Sequence, residues 1–496
     1  MDIFHHILFG FEVALQPLNL LFCFFGVLIG TLVGVLPGLG PVAAISLLLP
    51  ATFHVPPVAS IIMLAGIYYG AMYGGSTTSI LVNIPGEAAS VVTAIDGYQM
   101  ARRGRAGAAL GISAFGSFIA GTVGVIGLAF MAPPLASFAL QFGPPEYFSL
   151  MVLGLTVLTF LAGGSMLKSL MMACVGVIIG NIGLDLVSAQ PRFTFGLDLL
   201  LDGVGLVPLV MGLFGIAEVL INLEEKLDKR EIFQTRVKGL LPNRKDWKES
   251  IWPIVRGSIL GFFLGILPGG GAIISSFVSY AVEKKLSRNP EEFGKGAIAG
   301  VAGPESANNS ATAGAFIPLL TLGLPSNAVM AILLGALMIY GMPPGPKLIT
   351  SHPHLFWGTI SSMYIGNILL LVLNLPLIGL WVKILKIPYP ILFPLILLFC
   401  LIGAFSLNGN IEEVGLMIFF GIVGYLLRKF KYDGAPLVLA MVLGPLMDNS
   451  LRQSLLLAGG SGIIFFTRPI CLFVFAMVII ILFLPILRRH PRLQDA

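Results

Sequence analysis

The sequence predicts an all-α protein that crosses a membrane many times and contains two inverted-topology repeats. Of its 496 residues, 56% are apolar and 11% charged, and the mean hydropathy is +0.95. Soluble domains carry about 25% charged residues. Apolar stretches recur from about residue 18 to about residue 487. Because a span needs roughly 20 residues, we expect roughly 11 to 14 membrane segments, some of them broken or re-entrant.

A glycine–proline break occurs twice inside apolar sequence. Residues 34–41 read Gly-Val-Leu-Pro-Gly-Leu-Gly-Pro, and residues 265–272 read Gly-Ile-Leu-Pro-Gly-Gly-Gly-Ala. A helix is broken at membrane depth only where protein or a water-filled cavity covers the break, and matching breaks in two halves point to a transporter's binding site. We therefore predict two re-entrant hairpins, with Na⁺ sites near Gly38 and Gly269. The predicted tip residues are Pro37, Gly38, Gly40, Pro268, Gly269 and Gly270.

Loop charge predicts how the segments are oriented. The longest polar interruption, residues 223–256, has a surplus of Lys and Arg, which places it in the cytoplasm. A second charged loop, residues 283–290, follows the second break. The apolar stretch Ser258–Val282 would then enter and leave on one side as a hairpin. A single kinked span is the alternative.

Basic and neutral loops exchange places between the two halves. Residues 50–57 lack Lys and Arg where the second half is charged, and Arg102–Arg105 is basic where residues 340–346 are uncharged. Two repeats of opposite orientation have this pattern. The predicted segments are 1–222, a first transport repeat with flanking helices; 223–257, a cytoplasmic basic linker; 258–350, the core of the second, inverted repeat; and 351–496, C-terminal membrane helices. These last helices could form a scaffold, a partner-binding surface or a plain lipid-facing bundle.

A polar element follows each break. Residues 73–87 and 303–312 are rich in hydroxyl and amide side chains, and each run leads to a proline. Half-helix N-termini attract anions, unwound carbonyls suit Na⁺, and neutral polar side chains complete such sites. Helix packing by Ser and Thr is the alternative. The predicted substrate contacts are Ser76, Thr77, Thr78, Asn83, Asn308, Asn309, Ser310, Ser326 and Asn327. Gly75, Pro85, Gly86 and Pro325 are predicted to shape the tips and ion sites.

Few ionisable residues lie at membrane depth. Glu87 and Glu305 adjoin the polar runs, and an intramembrane charge is a functional candidate. For Asp448 and Arg452 the spacing favours an ion pair on one helix face. We expect the acidic residues around Arg192 to be solvated in a loop; they are Asp185, Asp198 and Asp202.

The sequence contains no motif of an enzyme or of a nucleotide-binding protein. It has no His-Glu-x-x-His, no Walker loop and no catalytic cysteine–histidine arrangement, and its four cysteines lack metal-ligand spacing. We expect no cofactor, with transport energy drawn from an ion gradient or from an ATP-hydrolysing subunit. A channel, a membrane enzyme and a non-transporting subunit of a larger complex stay open as alternatives. The N-terminus lacks the features of a cleaved signal peptide.

At these motifs the chain resembles the large membrane subunit of the tripartite tricarboxylate transporter family (TctA-like). The likeness covers nearly the whole chain and is strongest at residues 34–41, 73–87, 96–98 (Asp-Gly-Tyr), 265–272, 304–310 and 451–455. The family often has Pro-Gly and then a hydroxyl residue where this chain has Pro325-Ser326-Asn327, a difference that would tune specificity.

The resemblance implies a secondary transporter that takes up carboxylates with a cation gradient, usually Na⁺. It implies the bacterial inner membrane as its location. It also implies two partners, a small membrane subunit (TctB-like) and a periplasmic solute-binding protein (TctC-like). A homodimer is compatible with this assembly.

Overall fold

The computed structural model describes residues 3–36, 40–161, 165–185, 188–224, 239–269, 271–384 and 389–487. Within these ranges the chain is almost entirely helical, which confirms the all-α prediction. It divides into two compact units. The first comprises Met1–Ser137 and Gly205–Lys429, and the second comprises Phe138–Val204 and Phe430–Ala496.

The first unit begins with six helices, the last of which continues past the unit's end. They are α1 (Ile3–Ala14), α2 (Pro17–Val35), α3 (Gly40–Thr52), α4 (Pro57–Val82), α5 (Val91–Arg102) and α6 (Ala106–Ala139). A 3₁₀ turn, Ala88–Ser90, precedes α5. The second unit contributes α7 (Pro144–Leu161) and α8 (Met166–Gly180).

The chain then returns to the first unit for eleven described helices and ends in the second. Those of the first unit are α9 (Leu206–Val210), α10 (Ala217–Glu224), α11 (Arg244–Ile266), α12 (Gly271–Leu286), α13 (Ala299–Leu322), α14 (Ala328–Ile339), α15 (Leu348–Ser351), α16 (Pro353–Asn374), α17 (Ile378–Ile384), α18 (Tyr389–Asn408) and α19 (Ile411–Lys429). A π-helical turn, Met211–Ile216, joins α9 to α10. The second unit ends with α20 (Ala435–Leu457), α21 (Ile464–Thr467) and α22 (Pro469–Leu487).

Six described helices are long and apolar enough to span a membrane. They are Pro17–Val35, Pro57–Val82, Ala106–Ala139, Leu206–Glu224, Arg244–Ile266 and Pro353–Asn374. Six shorter apolar helices accompany them. The chain is therefore a multi-pass membrane protein. Helix α11 begins inside the segment predicted as linker, and residues 225–238 of that segment lie outside the described residues.

Helices α2 and α4 run parallel along a seam of small residues. Gly26 abuts the backbone of Met63, and four residues further on each helix Gly30 abuts Ile67. In the same register, Gly34 abuts the backbone of Ala71. Small residues allow such close backbone approach between membrane helices. Since α3 connects two parallel neighbours, it must return the chain antiparallel to both, which makes α2 and α3 a hairpin with the first break at its tip.

The second half repeats this arrangement. Gly257, Gly261 and Gly265 of α11 abut Gly303, Ala307 and Ala311 of α13, again in parallel steps of four residues. Helix α12 therefore returns the chain from the second break. Each glycine triplet ends three residues before the proline of its break, at residue 37 or 268.

An ion pair joins the arms of the second hairpin far from its tip. Arg256 of α11 donates two hydrogen bonds to the Glu283 carboxylate of α12, at 2.8 Å from Nε and 2.5 Å from Nη2. A single kinked span would place these residues about 40 Å apart, at ~1.5 Å per residue. The contact shows that α11 and α12 fold back on each other as a helical hairpin and do not form a single kinked helix.

The long helices of the two halves run in opposite directions. Ser76 of α4 donates to Glu305 near the start of α13, whereas Tyr68 packs against Phe316 near its end. With α4 and α13 antiparallel, the two hairpins point toward opposite ends of the unit.

Loops of like charge meet at the same end of this unit. Tyr340 donates to the carbonyl of Thr52 at 2.8 Å, which joins the two uncharged connections. At the other end Arg105 of the basic turn pairs with Asp246, which completes the capping box in the first turn of α11. The neutral and basic loops are thus separated as the charge pattern predicts.

The second unit packs α7, α8, α20 and α22 together. Gly176 and Gly180 of α8 abut Leu437 and Met441 of α20 in parallel register. A short antiparallel pair, β1 (Gly183–Leu184) and β2 (Pro191–Arg192), follows α8.

Candidate functional site

Both predicted breaks interrupt the helices in the described residues. Leu36 and Leu267 are extended, with ψ of 105° and 132°. Gly40 and Gly269 have φ of +57° and +97°, conformations that favour glycine. Pro37, Gly38 and Gly270 lie outside the described residues. Pro268 is half-buried between Leu267 and Gly269.

A second break ends the long helix in each half. Helix α4 ends at Asn83 with φ of +59°, and α13 ends at Gly323 with φ of +69°. These are left-handed C-terminal residues, a role that Gly and Asn fill best. A proline follows two residues later in both, Pro85 and Pro325. The Asn83 side chain is exposed, so the structure does not bring it to the buried polar residues.

The next helix in each half begins at a capping side chain in an equivalent position. Glu87 Oε2 accepts from the backbone N–H of Ala89 at 2.7 Å. Asn327 Oδ1 accepts from the N–H of Met330 at 3.0 Å. Side-chain oxygens at this position satisfy N–H groups that the helix leaves unpaired. In each half the long polar helix is therefore followed, in the same order, by a left-handed C-terminal residue, a proline and the side chain that caps the next helix.

We call the surroundings of Glu87 the first pole, formed by Gly75, Gly86, Glu87 and Asn308. Gly86 lies against the backbone of Gly75, and the Glu87 side chain crosses the same glycine, so that a Cβ on either glycine would collide. Asn308 of the opposite half lies beside the Glu87 carboxylate. This pole therefore joins the cap of one half to the long helix of the other.

We call the surroundings of Asn327 the second pole, formed by Tyr68, Gly269, Ser326 and Asn327. Gly269 at the hairpin tip donates its N–H to the Ser326 carbonyl at 2.7 Å. Asn327 Nδ2 donates to the Tyr68 hydroxyl of the other half at 3.1 Å. The hairpin tip, the second break and the opposing long helix thus meet at one point.

Glu305 links the halves between the poles. Its side chain is 0% exposed and accepts hydrogen bonds from Ser76 of α4 and Thr93 of α5. Ser113 of α6 lies next to the same carboxylate. A buried carboxylate needs such donors, because water no longer solvates it. Sequence reasoning placed Glu305 beside the polar run but missed Thr93, Ser113 and Tyr68, which carry no sequence signal of long-range contact.

Several of the other predicted substrate contacts instead bond to neighbouring helices or are buried between the two halves. Thr78 donates to the Val35 carbonyl at the first break, at 2.6 Å. Asn309 donates to Ser117 at 2.7 Å. Thr77 and Ser310 are buried, and the Ser310 hydroxyl has no partner within hydrogen-bonding distance. Ser76, Thr77 and Thr78 lie in unbroken helix, as do Asn308, Asn309 and Ser310.

Asp96 fixes the loop that leads into α13. Its Oδ1 accepts from the backbone N–H groups of Gly294, Gly296 and Ala297, at 2.9, 2.7 and 2.9 Å. Its Oδ2 accepts from Tyr280 at 2.8 Å. Asp96 is fully buried on α5, so the Asp-Gly-Tyr motif belongs to a helix of the core between the halves.

Asp96→Ala is expected to lower the thermal unfolding midpoint of the purified protein much more than Asp96→Asn. Alanine leaves three backbone N–H groups without an acceptor, at about 1–3 kcal/mol for each donor left unpaired. Asparagine retains a carbonyl oxygen for them. The exposed Asp198→Asn serves as the control. Equal midpoints for the Ala and Asn variants would contradict the role assigned to Asp96.

The second unit holds a four-charge network at the end of α8 and α20. Asp185 pairs with Arg192 at 3.1 Å and with Arg452 at 3.0 Å, and Asp448 pairs with both arginines. The predicted Asp448–Arg452 pair is confirmed. The solvated state expected for Asp185 is wrong, since it is 8% exposed and accepts from two arginines; Asp198 and Asp202 are exposed as expected. A cavity of about 200 Å³ adjoins the network.

No metal cluster of three or more His, Cys, Asp or Glu side chains occurs in the described part of the chain. What the fold offers instead is a polytopic helical core in which two broken halves meet through buried polar side chains. Such an arrangement is characteristic of membrane transport proteins. Residues 20–439 match the tripartite tricarboxylate transporter TctA family, and the chain belongs to that family.

Two relatives come from Agrobacterium vitis. A 52.8 kDa protein of the TAR-I ttuC' 3'region is 54% identical over 491 residues, which cover 98% of both chains. A protein of the TAR-II ttuC' 3'region is 56% identical over 210 residues, 42% of this chain and 87% of that protein. No solved structure matches the chain.

Proposed function

We propose that this protein is the large membrane subunit of a three-part secondary transporter that takes up organic carboxylates with a cation gradient of Na⁺ or H⁺. Its partners are a small membrane subunit and a periplasmic solute-binding protein, and its location is the bacterial inner membrane. Membership in the tripartite family supports the transport role.

The observation that carries the proposal is the meeting of two antiparallel halves around buried polar side chains. Each half folds as helix, break, returning helix and long polar helix, and α4 runs antiparallel to α13 through the Ser76–Glu305 contact. Inverted repeats of this kind place substrate and ion sites where their discontinuous helices meet.

The charge of the loops supports a specific orientation of the first unit in the membrane. The end that holds Arg105 and Asp246 is basic and is assigned to the cytoplasm, whereas the end that holds Thr52 and Tyr340 is assigned to the periplasm. The first hairpin then enters from the periplasm and the second from the cytoplasm.

Helix ends at the breaks suit the ions to be carried. Helices α3 and α12 begin at the breaks, and the free N–H groups of a helix N-terminus attract anions such as carboxylates. Helices α2 and α11 end there, and the carbonyls at helix C-termini suit cations. Each break therefore offers donors for a carboxylate and acceptors for a coupling ion.

Uptake into proteoliposomes tests the proposal. The protein is reconstituted with its small membrane subunit and binding protein, and a panel of labelled carboxylates is offered with and without an inward Na⁺ or H⁺ gradient. We expect at least one carboxylate to accumulate above its external concentration only with a gradient. Accumulation that ignores every cation gradient would exclude secondary transport, and equilibration without accumulation would indicate a channel.

A further inference from the structure

A second, larger cavity lies beside the four-charge network of the second unit. Its volume is about 440 Å³, within the range of about 300–1,000 Å³ that is usual for ligand pockets. The described residues that line it are Val177, Ile178, Asn181, Arg192, Phe193 and Arg452. Both arginines of the network are among them, whereas neither aspartate is. The cavity is therefore apolar with a cationic wall.

The smaller cavity, of about 200 Å³, has the opposite charge on its wall. Asp185 and Asp448 line it, together with Asn449. Arg192 and Asn181 line both cavities, so the two are neighbours. A ligand that occupies both would meet guanidinium groups in one and carboxylates in the other.

The two arginines retain N–H groups that no described residue accepts. Arg192 donates from Nη1 to Asp448 at 3.0 Å, and its Nη2 lies 3.1 Å from Asp185. Arg452 donates from Nε to Asp448 at 3.2 Å and from Nη1 to Asp185 at 3.0 Å. Arg192 Nε and Arg452 Nη2 make no hydrogen bond within the described part of the chain. Since guanidinium groups suit phosphate oxygens, these donors would serve a phosphate in the larger cavity.

An exposed apolar stripe on α8 leads to the larger cavity. Leu167, Leu170, Met171 and Val175 are exposed along this helix. Ile178, which is 52% exposed, continues the stripe and lines the cavity. Lipid tails are as apolar as such side chains and can cover them without a polar partner. The cavity therefore lies at the end of a surface that suits acyl chains.

The length of α8 places the network at the level of lipid headgroups. Lys168 lies in the first turn of α8 and Lys431 lies just before the parallel helix α20, so this end is basic and is assigned to the cytoplasmic side. Helix α8 has 15 residues and is about 22 Å long, whereas the hydrocarbon core is about 30 Å thick. Its far end, beside the network, therefore does not extend beyond the headgroups of the outer leaflet.

We propose that the two cavities bind the headgroup of one phospholipid of the ethanolamine class, with its phosphate at Arg192 and Arg452 and its ammonium at Asp448. Phosphate accepts forked hydrogen bonds from arginine, and an ammonium donates to a carboxylate. The network has two positive and two negative side chains, so a headgroup with one phosphate and one ammonium keeps it neutral. The acyl chains lie along the α8 stripe. This site does not depend on which solute the protein transports.

Thermal unfolding of the purified full-length protein in detergent tests the site, because a ligand that binds only the folded state raises the midpoint. Short-chain phosphatidylethanolamine, phosphatidylglycerol and phosphatidylcholine are added separately. We expect the ethanolamine lipid to act at concentrations about tenfold lower, since the other two lack the ammonium N–H groups and one charge-assisted hydrogen bond is worth about this factor. Equal effects of the three lipids, or no effect of any, would overturn the proposal.

Phosphoethanolamine without acyl chains distinguishes a lipid from a free phosphate ester. We expect it to have no effect at the concentration at which the lipid acts, because it lacks the contacts along α8. Equal stabilisation by both compounds would identify a soluble phosphate ester as the ligand and would overturn the lipid assignment.

Variants separate the two ends of the headgroup. Asp448→Asn should lose the preference for ethanolamine over glycerol lipid, whatever its midpoint without lipid. Arg452→Lys keeps the charge but lacks the fork, so it should bind the ethanolamine lipid about tenfold more weakly. Phe193→Ala, in the cavity wall, should also weaken binding, whereas Phe195→Ala, which alters an 84% exposed side chain outside that wall, should not. A full preference in Asp448→Asn, or wild-type affinity in Arg452→Lys, would overturn the assignment.

Discussion

Replacing Glu305 by leucine is expected to abolish uptake and to lower the thermal unfolding midpoint strongly. Ser76 and Thr93 donate to its two oxygens from different helices of the first half, and the site is fully buried. Leucine leaves the Thr93 hydroxyl without an acceptor, at about 1–3 kcal/mol for a buried group. The Ser76 hydroxyl keeps only the Met72 carbonyl, at 3.3 Å. The substitution also removes a link between the halves.

Glu305→Gln separates the loss of hydrogen bonding from the loss of shape. Glutamine has nearly the same shape and keeps one acceptor oxygen, so the midpoint should fall less than in the leucine variant. The exposed Asp202→Asn controls for the loss of a carboxylate elsewhere. The assignment of Glu305 as a junction fails if the leucine variant unfolds at the wild-type midpoint and transports normally.

The second large effect is expected at the glycine seam between α11 and α13. Gly261 lies directly against the backbone of Ala307, so even a Cβ would collide there. Gly261→Leu must push the two helices apart, at a cost beyond the about 1–3 kcal/mol of ordinary overpacking. We expect little monodisperse protein in size-exclusion chromatography and no uptake.

Gly415 offers the matched control. It also lies inside a helix, α19, but a Cβ built on it meets nothing within 4 Å. Gly415→Leu should therefore remain monodisperse. Similar chromatographic yields for the two variants would argue against close packing of α11 on α13.

Much of the fold follows from local sequence. Apolar length predicts the spanning helices, and Pro-Gly pairs predict where they break, because proline lacks an N–H and glycine adopts conformations closed to other residues. The break at residues 265–272 and the exchange of loop charge also predict a second hairpin, and the Arg256–Glu283 pair holds α11 and α12 side by side. The segment boundaries and substrate contacts remain predictions.

Other features depend on residues far apart in sequence. Asp185 looks like a solvated loop residue, yet it is buried against Arg192 and Arg452, and the latter is distant along the chain. Asp96 sits beside a basic turn in the sequence and accepts from three backbone groups before α13. The residues that flank Asp185 and Asp96 in the sequence do not indicate these distant partners.

The sequence by itself determined that this chain is a polytopic helical membrane protein with two broken halves, because hydrophobic length, proline and glycine act locally on the backbone. Only the tertiary structure decided which polar side chains meet. The antiparallel packing of α4 on α13 joins Ser76 to Glu305 and sets Asn308 beside Glu87. A buried polar group is defined by the partners that replace water, and those partners come from the other half of the chain.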